Sequence, residues 1–168
     1  MLIELGVTTS FLRRAVLMDR DGTLIEDLGY LNEPERVRLL PGVAPALRQL
    51  RAAGFGIVVV SNQSGLWRKR ITQKQHLAVH AAMIEILRGE RIELNGAFYC
   101  PHGPGQGCGC RKPEPGLLLR AAERLSLSLP ECWMVGDKES DLEAARSAGC
   151  RPLRADKFLG AASAIAAS

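Results

Sequence analysis

The sequence predicts an α/β fold: a Rossmann-like, mostly parallel sheet with helices on both faces, in one domain spanning residues 1–168. Two observations predict it. Apolar runs short enough to be buried strands alternate with stretches of helical period, and three of those runs end on polar residues, as strands do at the ligand crevice of an open sheet. With 168 residues and 46% hydrophobic content, the chain is long enough for one well-buried core and too short for two ordinary domains.

The first strand is expected at Ala15-Val16-Leu17-Met18, followed by a helix whose Val43, Ala46, Leu47 and Leu50 share one face and which Gly54 stops. A second run, Ile57 to Val60, precedes a loop. Thr72-Gln73-Lys74-Gln75 then has the pattern of a capping box, opening a helix to about Arg88. Ala97-Phe98-Tyr99 is a weaker strand. After a segment rich in Gly, Pro and Cys come a helix through Leu117, Leu118, Ala121 and Leu125, a strand at Trp133-Met134-Val135, and a second capping box at Ser140-Asp141-Leu142-Glu143. Gly149 ends that helix. The alanine-rich tail from Leu159 to Ser168 forms a short closing helix or frays.

Bulk properties narrow the function classes. No apolar run approaches the ~20 residues of a membrane span, and the N-terminal stretch MLIELGVTTSFLRR lacks the pattern of a secretory leader, so a cytoplasmic protein with no membrane partner is expected. The net charge of +4 suits an anionic ligand. The basic residues form no long stripe and aromatics are 5% of the chain, which argues against nucleic acid as a partner. A monomer is the default.

Val16-Leu17-Met18 runs into Asp19, Val58-Val59-Val60 into Ser61-Asn62, and Met134-Val135-Gly136 into Asp137. In a parallel sheet these ends are neighbours, so Asp19, Ser61, Asn62 and Asp137 converge on one crevice. Asp21 and Asp141 add carboxylates whose mutual repulsion calls for a hard divalent cation, and oxygen donors without a nearby histidine suit magnesium. An Asp before Gly is often a plain turn former, and Asp21-Gly22 alone would be read that way.

Asp19-Arg20-Asp21-Gly22-Thr23 after a hydrophobic strand resembles the first motif of the haloacid dehalogenase (HAD) superfamily. The later motifs follow in order: Ser61-Asn62-Gln63-Ser64-Gly65, Arg111-Lys112-Pro113, and Gly136-Asp137-Lys138-Glu139-Ser140-Asp141. The resemblance implies a HAD-like phosphatase without a large cap domain. Asp19 would attack phosphorus, Asp21 would act as general acid and then base, Ser61 would bond the phosphoryl group, and Lys112 would neutralise charge on it. Magnesium would be held by Asp19, Asp137 and the backbone carbonyl of Asp21, with Asp141 as a supporting carboxylate or a helix N-terminal charge.

Three of the five cysteines crowd into eleven residues, an odd count and a clustering that favour metal over disulfides. Cys100, His102, Cys108 and Cys110 supply the donor set of a closed, structural tetrahedral zinc site within residues 100–110; the alternative is a loop of free thiols. His76 and His80, spaced i, i+4, are read instead as polar positions of an amphipathic helix. The zinc loop ahead of Arg111-Lys112-Pro113 resembles the HAD branch that contains the heptose bisphosphate phosphatases and the histidinol phosphatases. Asp27-Leu28-Gly29-Tyr30-Leu31, with Leu40-Pro41-Gly42, looks like the heptose type, whose loop contacts the sugar, whereas the five-residue gap in the zinc loop matches the histidinol type.

The expectation is therefore removal of the C7 phosphate from a heptose 1,7-bisphosphate, with Asp27, Tyr30, Ser61, Asn62, Gln63, Ser64, Arg111 and Lys112 as substrate contacts. Histidinol phosphate, a DNA 3′-phosphate and a non-catalytic zinc-stabilised binding module remain alternatives. Where relatives often have Gly-Ile-Ala-Arg-Gly, this chain has Gly65-Leu66-Trp67-Arg68-Lys69-Arg70. That segment reads either as a grip on a distal phosphate, shared with Arg111, or as a solvated turn with Trp67 half packed on the surface.

Overall fold

The computed structural model describes residues 1–8 and 12–168, so residues 9–11 of the stretch inspected for a leader lie outside it. Among the described residues, six strands form one sheet: β1 (Ile3–Leu5), β2 (Ala15–Met18), β3 (Gly56–Asn62), β4 (Gly96–Cys100), β5 (Trp133–Gly136) and β6 (Arg151–Arg154). Their spatial order is β1-β4-β3-β2-β5-β6, with β1 antiparallel to β4 and the other pairs parallel. The helices are α1 (Val43–Ala52), α2 (Ser64–Trp67), α3 (Gln73–Gly89), α4 (Gly116–Leu125), α5 (Glu139–Ala148) and α6 (Ala155–Ala166).

Alternation along the central strands sends side chains to two cores. Val16, Met18, Ile57, Val59, Tyr99 and Val135 face α1, α3 and α6, where they meet Leu47, Leu50, Met83 and Phe158. Ala15, Leu17, Val58, Val60, Phe98 and Met134 face α4 and α5, against Leu117, Leu118, Ala121 and Ala145. Every β2 side chain is buried on both faces, which is why that strand reads as a continuous apolar run. Truncating a core residue such as Leu47 to Ala would cost about 2–5 kcal/mol.

Thr72 caps α3 as expected: its hydroxyl accepts from Gln75 N at 3.2 Å, and Gln75 Oε1 accepts from Thr72 N at 2.8 Å. The second capping box lies two residues earlier than expected. Helix α5 begins at Glu139, and Asp141 reaches back to accept from Lys138 N at 3.0 Å, so Asp141 is the third helical residue and Ser140 is not the cap. Gly149 takes the left-handed conformation that closes α5. The tail is helical from Ala155. Strands β1 and β6 escape sequence reading because both are short edges, and β6 carries Pro152, which only an edge tolerates. Among the described residues, no helix is long and apolar enough to cross a membrane.

The register makes the site. Met18 pairs with Val59 on one side and Val135 on the other, so β2, β3 and β5 end side by side. The chain builds outward from β2 through β3 to β4, then crosses back to β5 on the opposite flank, which puts the topological switch point at the carboxyl end of β2.

Candidate active site

Asp19 leaves β2 at that switch point, with its backbone N donating to Val135 O at 2.9 Å. The cavity beyond the strand ends measures about 420 Å³ and is lined by Asp19, Asp21, Ser61, Asn62, Ser64, Arg111, Lys112, Pro113, Lys138, Ser140 and Asp141. The structure thus brings together residues from all four motifs.

Lys112 reaches into the floor from the loop before α4. Its ammonium stands 3.1 Å from Asp19 Oδ1 and 2.6 Å from Asp141 Oδ1, and donates to Val60 O at 2.7 Å. Asn62 holds the backbone that carries it: Asn62 Nδ2 donates to Lys112 O at 2.9 Å, and Oδ1 accepts from Lys112 N at 3.1 Å. Asn62, expected as a substrate contact, therefore also aligns the lysine. That partnership spans fifty residues and has no local signature.

Burial opposes ionisation of Asp19, but Lys112 and the Ser61 hydroxyl outweigh it and hold the carboxyl below its ordinary value. Burial raises Asp21 above the usual range, although the Arg20 guanidinium and Gln63 pull the other way. Two carboxyls two residues apart are thus driven in opposite directions, the arrangement that separates a nucleophile from a proton donor. Arg20, which the motif reading passed over, is buried and binds the Asp21 carboxylate through Nε and Nη2 at 2.9–3.1 Å. Gln63 is buried rather than placed on the cavity wall, and donates to Asp21 Oδ2 at 2.8 Å and to Ser61 Oγ at 3.1 Å.

Carboxylate oxygens of Asp19, Asp137 and Asp141 come within 4.8 Å of one another. Lys112 bonds to the first and last, while Asp137 Oδ1 is buried with no hydrogen-bond partner. Burial also raises the Asp137 carboxyl, against the pull of Lys138. An orphaned oxygen beside two more carboxylates fits a small, hard cation. Two glycines permit the crowding. A Cβ on Gly22, which has φ +78°, would sit 2.7 Å from Asp137 Oδ2, and one on Gly136 would overlap the Asp141 carboxylate.

The second cluster is also assembled. Cys110 Sγ lies 3.3 Å from Cys100 Sγ and 3.3 Å from His102 Nδ1, Cys100 Sγ lies 3.5 Å from that nitrogen, and Cys108 Sγ is 3.8 Å from Cys100 Sγ. Thiolates about 2.3 Å from a tetrahedral zinc stand roughly 3.8 Å apart, so the donor set fits that ion. No cysteine is in a disulfide. Arg111 Nη1 donates to His102 O at 3.2 Å, tying the cluster to the cavity wall. A second hollow of about 540 Å³ runs along residues 103–109 and shares Arg111, Lys112 and Pro113 with the first.

Other expected residues stand apart from the cavity lining. Asp27 is exposed, accepts from Gly29 N at 2.9 Å and lies 3.6 Å from Lys138 Nζ. Tyr30 is half exposed, with its ring against Gly65. Trp67 is 48% exposed, its ring lies on Gly103, and Arg68 stacks over it at 5.8 Å. Arg68, Lys69 and Arg70 are exposed and do not line the cavity, which favours the solvated-turn reading of this segment. His76, expected as a polar position of an amphipathic helix, lies instead on its buried face: it is 0% exposed and packs edge-on to Tyr99 at 4.6 Å.

Fold and site together define a hydrolase of the HAD type, and comparison with known proteins agrees. The family model for haloacid dehalogenase-like hydrolase matches residues 26–149. The D-glycero-β-D-manno-heptose-1,7-bisphosphate 7-phosphatase of Escherichia coli K12 is 40% identical over 141 residues, 80% of this chain and 74% of that protein. The enzyme of the same name from Pasteurella multocida is 40% identical over 143 residues, 82% of this chain and 78% of that one. The crystal structure of D,D-heptose 1,7-bisphosphate phosphatase from B. bronchiseptica, complexed with magnesium and phosphate, superposes with a TM-score of 0.77 at 37% identity, covering 84% of this chain and 79% of that chain. A Mesorhizobium loti protein described as a HAD-like phosphatase gives a TM-score of 0.83 at 32% identity, covering 98% and 91%. The chain is a HAD-superfamily phosphatase and belongs to the D-glycero-D-manno-heptose 1,7-bisphosphate 7-phosphatase family.

Proposed function

We propose that this chain removes the C7 phosphate of D-glycero-D-manno-heptose 1,7-bisphosphate through an aspartyl-phosphate on Asp19, working as a cytoplasmic monomer. The observation that carries the reading is the opposed environment of two carboxyls on one cavity: Asp19 held ionised by Lys112 and Ser61, Asp21 held towards its protonated form by burial.

Asp19 attacks phosphorus, the bond to the C7 oxygen breaks, and Asp21 gives that oxygen its proton. Asp21, now a carboxylate, takes a proton from water as the water oxygen bonds phosphorus and Asp19 is released. Lys112 and Ser61 balance charge on the phosphoryl oxygens where it develops. Asp19, Asp137 and the carbonyl of Asp21 hold magnesium, which when bound screens the carboxylates and polarises the phosphoryl group. Cys100, His102, Cys108 and Cys110 hold a structural zinc, with four protein donors leaving no open position.

The hollow along the zinc loop, walled by Arg111, suits the remainder of a bisphosphate, and Asp27, 3.6 Å from Lys138, and Tyr30, against Gly65, are the groups we assign to the sugar hydroxyls. An amine-bearing ester such as histidinol phosphate would bring a cation towards Arg111 and Lys138, a mismatch that favours the anionic substrate. The test is phosphate release, with magnesium and with EDTA, from both anomers of the heptose bisphosphate and from histidinol phosphate. Magnesium-dependent turnover preferring a heptose anomer supports the reading; preference for histidinol phosphate overturns the substrate.

A further inference from the structure

Arg20 sits between the two reacting aspartates in sequence, yet it is 1% exposed and does not line the cavity. Its Nε and Nη2 each reach both oxygens of Asp21 at 2.9–3.1 Å, and Nη2 also donates to Gln63 Oε1 at 3.1 Å. Gln63 in turn donates to Asp21 Oδ2 and to Ser61 Oγ. These bonds close a ring of three side chains, Arg20, Gln63 and Asp21, anchored to the phosphate-facing serine. Burying a guanidinium this completely carries a large desolvation penalty, so the interaction it makes is poorly explained as a gain in stability.

Among the described residues, Arg20 makes no other ion pair. The groups that feel its charge from the packed elements are His76 and His80 on α3 and Tyr99 on β4, besides Asp21. None of these three supplies a negative charge at neutral pH, since the imidazoles are uncharged there and burial pushes the Tyr99 phenol up. The carboxylate within bonding distance of Arg20 is Asp21. A planar fork gripping a carboxylate fixes its orientation as well as its place, which a lysine cannot do.

We propose that Arg20 is a positioning residue for the acid–base carboxylate: with Gln63 it holds Asp21 in one orientation on the cavity wall, so that the same group meets the ester oxygen in the first half-reaction and the hydrolytic water in the second. The proposal rests on the phosphatase mechanism above. It predicts a defect in proton transfer with nucleophilic attack by Asp19 left intact.

The test is stopped-flow kinetics of the magnesium-loaded enzyme with p-nitrophenyl phosphate, whose leaving group needs no proton, beside a sugar phosphate, whose leaving group does. Arg20→Met should release nitrophenolate in a burst of one equivalent and then turn over roughly 10²–10⁴-fold more slowly than wild type, as Asp21→Asn should. The sugar phosphate should be lost without a burst. Arg20→Lys keeps the charge without the fork and should burst too, with a steady rate about ten-fold below wild type, so a failure of the Met variant to fold does not spare the proposal.

Wild-type behaviour in Arg20→Lys, or equal losses on both substrates without a burst in a variant that melts cooperatively and retains its zinc, would overturn the role of Arg20. Should Asp21→Asn burst while the Arg20 variants do not, the positioning role fails and the mechanism stands. Absence of magnesium-dependent turnover in the wild type would instead remove the mechanism on which the proposal rests.

Discussion

The ammonium of Lys112 bridges Asp19 at 3.1 Å and Asp141 at 2.6 Å, so one buried cation serves both the carboxylate at the end of β2 and the one in the first turn of α5. Removing it strands two buried anions. Lys112→Met should lower kcat/KM at least 10²–10³-fold, because charge stabilisation at the phosphoryl oxygens is lost. It should also cost about 3–5 kcal/mol of stability in the metal-free protein. Phosphate release and urea unfolding check the two parts, and retained activity would remove Lys112 from the machinery.

A second prediction concerns acid sensitivity. Burial, reinforced by the charge of Arg20, lowers both His76 and His80 to about 4, from an ordinary value of 6.5. The unfolded chain therefore binds protons that the folded chain refuses between those two values. Stability should be fully present above about pH 6.5 and fall as pH drops towards 4, at up to roughly 1.4 kcal/mol per pH unit for each histidine. Thermal melts across this range check it, and His76→Phe, which has no titrating group to bury, should flatten the profile. An unchanged slope in that variant would contradict the assignment.

The run of apolar residues into Asp19, Ser61-Asn62 and Asp137 was legible in the sequence because strand ends in a parallel sheet share one edge whatever the rest of the chain does. The Cys–His cluster proposed for zinc was legible for a similar reason, as all four residues lie within eleven positions. The supporting contacts were not. Asn62 grips the backbone of Lys112, and Gln63 bridges Ser61 to an aspartate 42 residues earlier; only the folded register sets such pairs. Arg20 lies between two aspartates in sequence, and its contact with Gln63, 43 residues on, has no local signature. His76 has helical spacing that fits either face, and Tyr99 from β4 covers it.

The cysteine loop carries its own prediction. Cys110 belongs to the Cys–His cluster and is followed directly by Arg111 and Lys112. Cys110→Ser should lose the zinc, lower the melting temperature and reduce activity by displacing Lys112, although Cys110 does not line the cavity that holds Asp19. Metal content by mass spectrometry, with a melting curve and an activity assay on the same sample, tests this. A zinc-free variant with full activity would show the loop to be independent of the site.

Gly22 makes a sharper probe of the magnesium site. Gly22→Ala places a Cβ 2.7 Å from Asp137 Oδ2 in a backbone conformation that L-residues disfavour. Magnesium affinity should fall at least ten-fold, read by titration of the ion against activity, with Asp19 and Lys112 unchanged in place. Unaltered affinity would argue that Asp137 is not a ligand.

The central claim is that phosphate passes through Asp19. The most direct measurement is acid quenching of Asp21→Asn during reaction with p-nitrophenyl phosphate, followed by peptide mass spectrometry. In that variant the first half-reaction proceeds and the second stalls, so the account predicts close to one acid-stable phosphoryl group per chain, on Asp19. Release of nitrophenolate with no covalent phosphate, or phosphate on another residue, would contradict it.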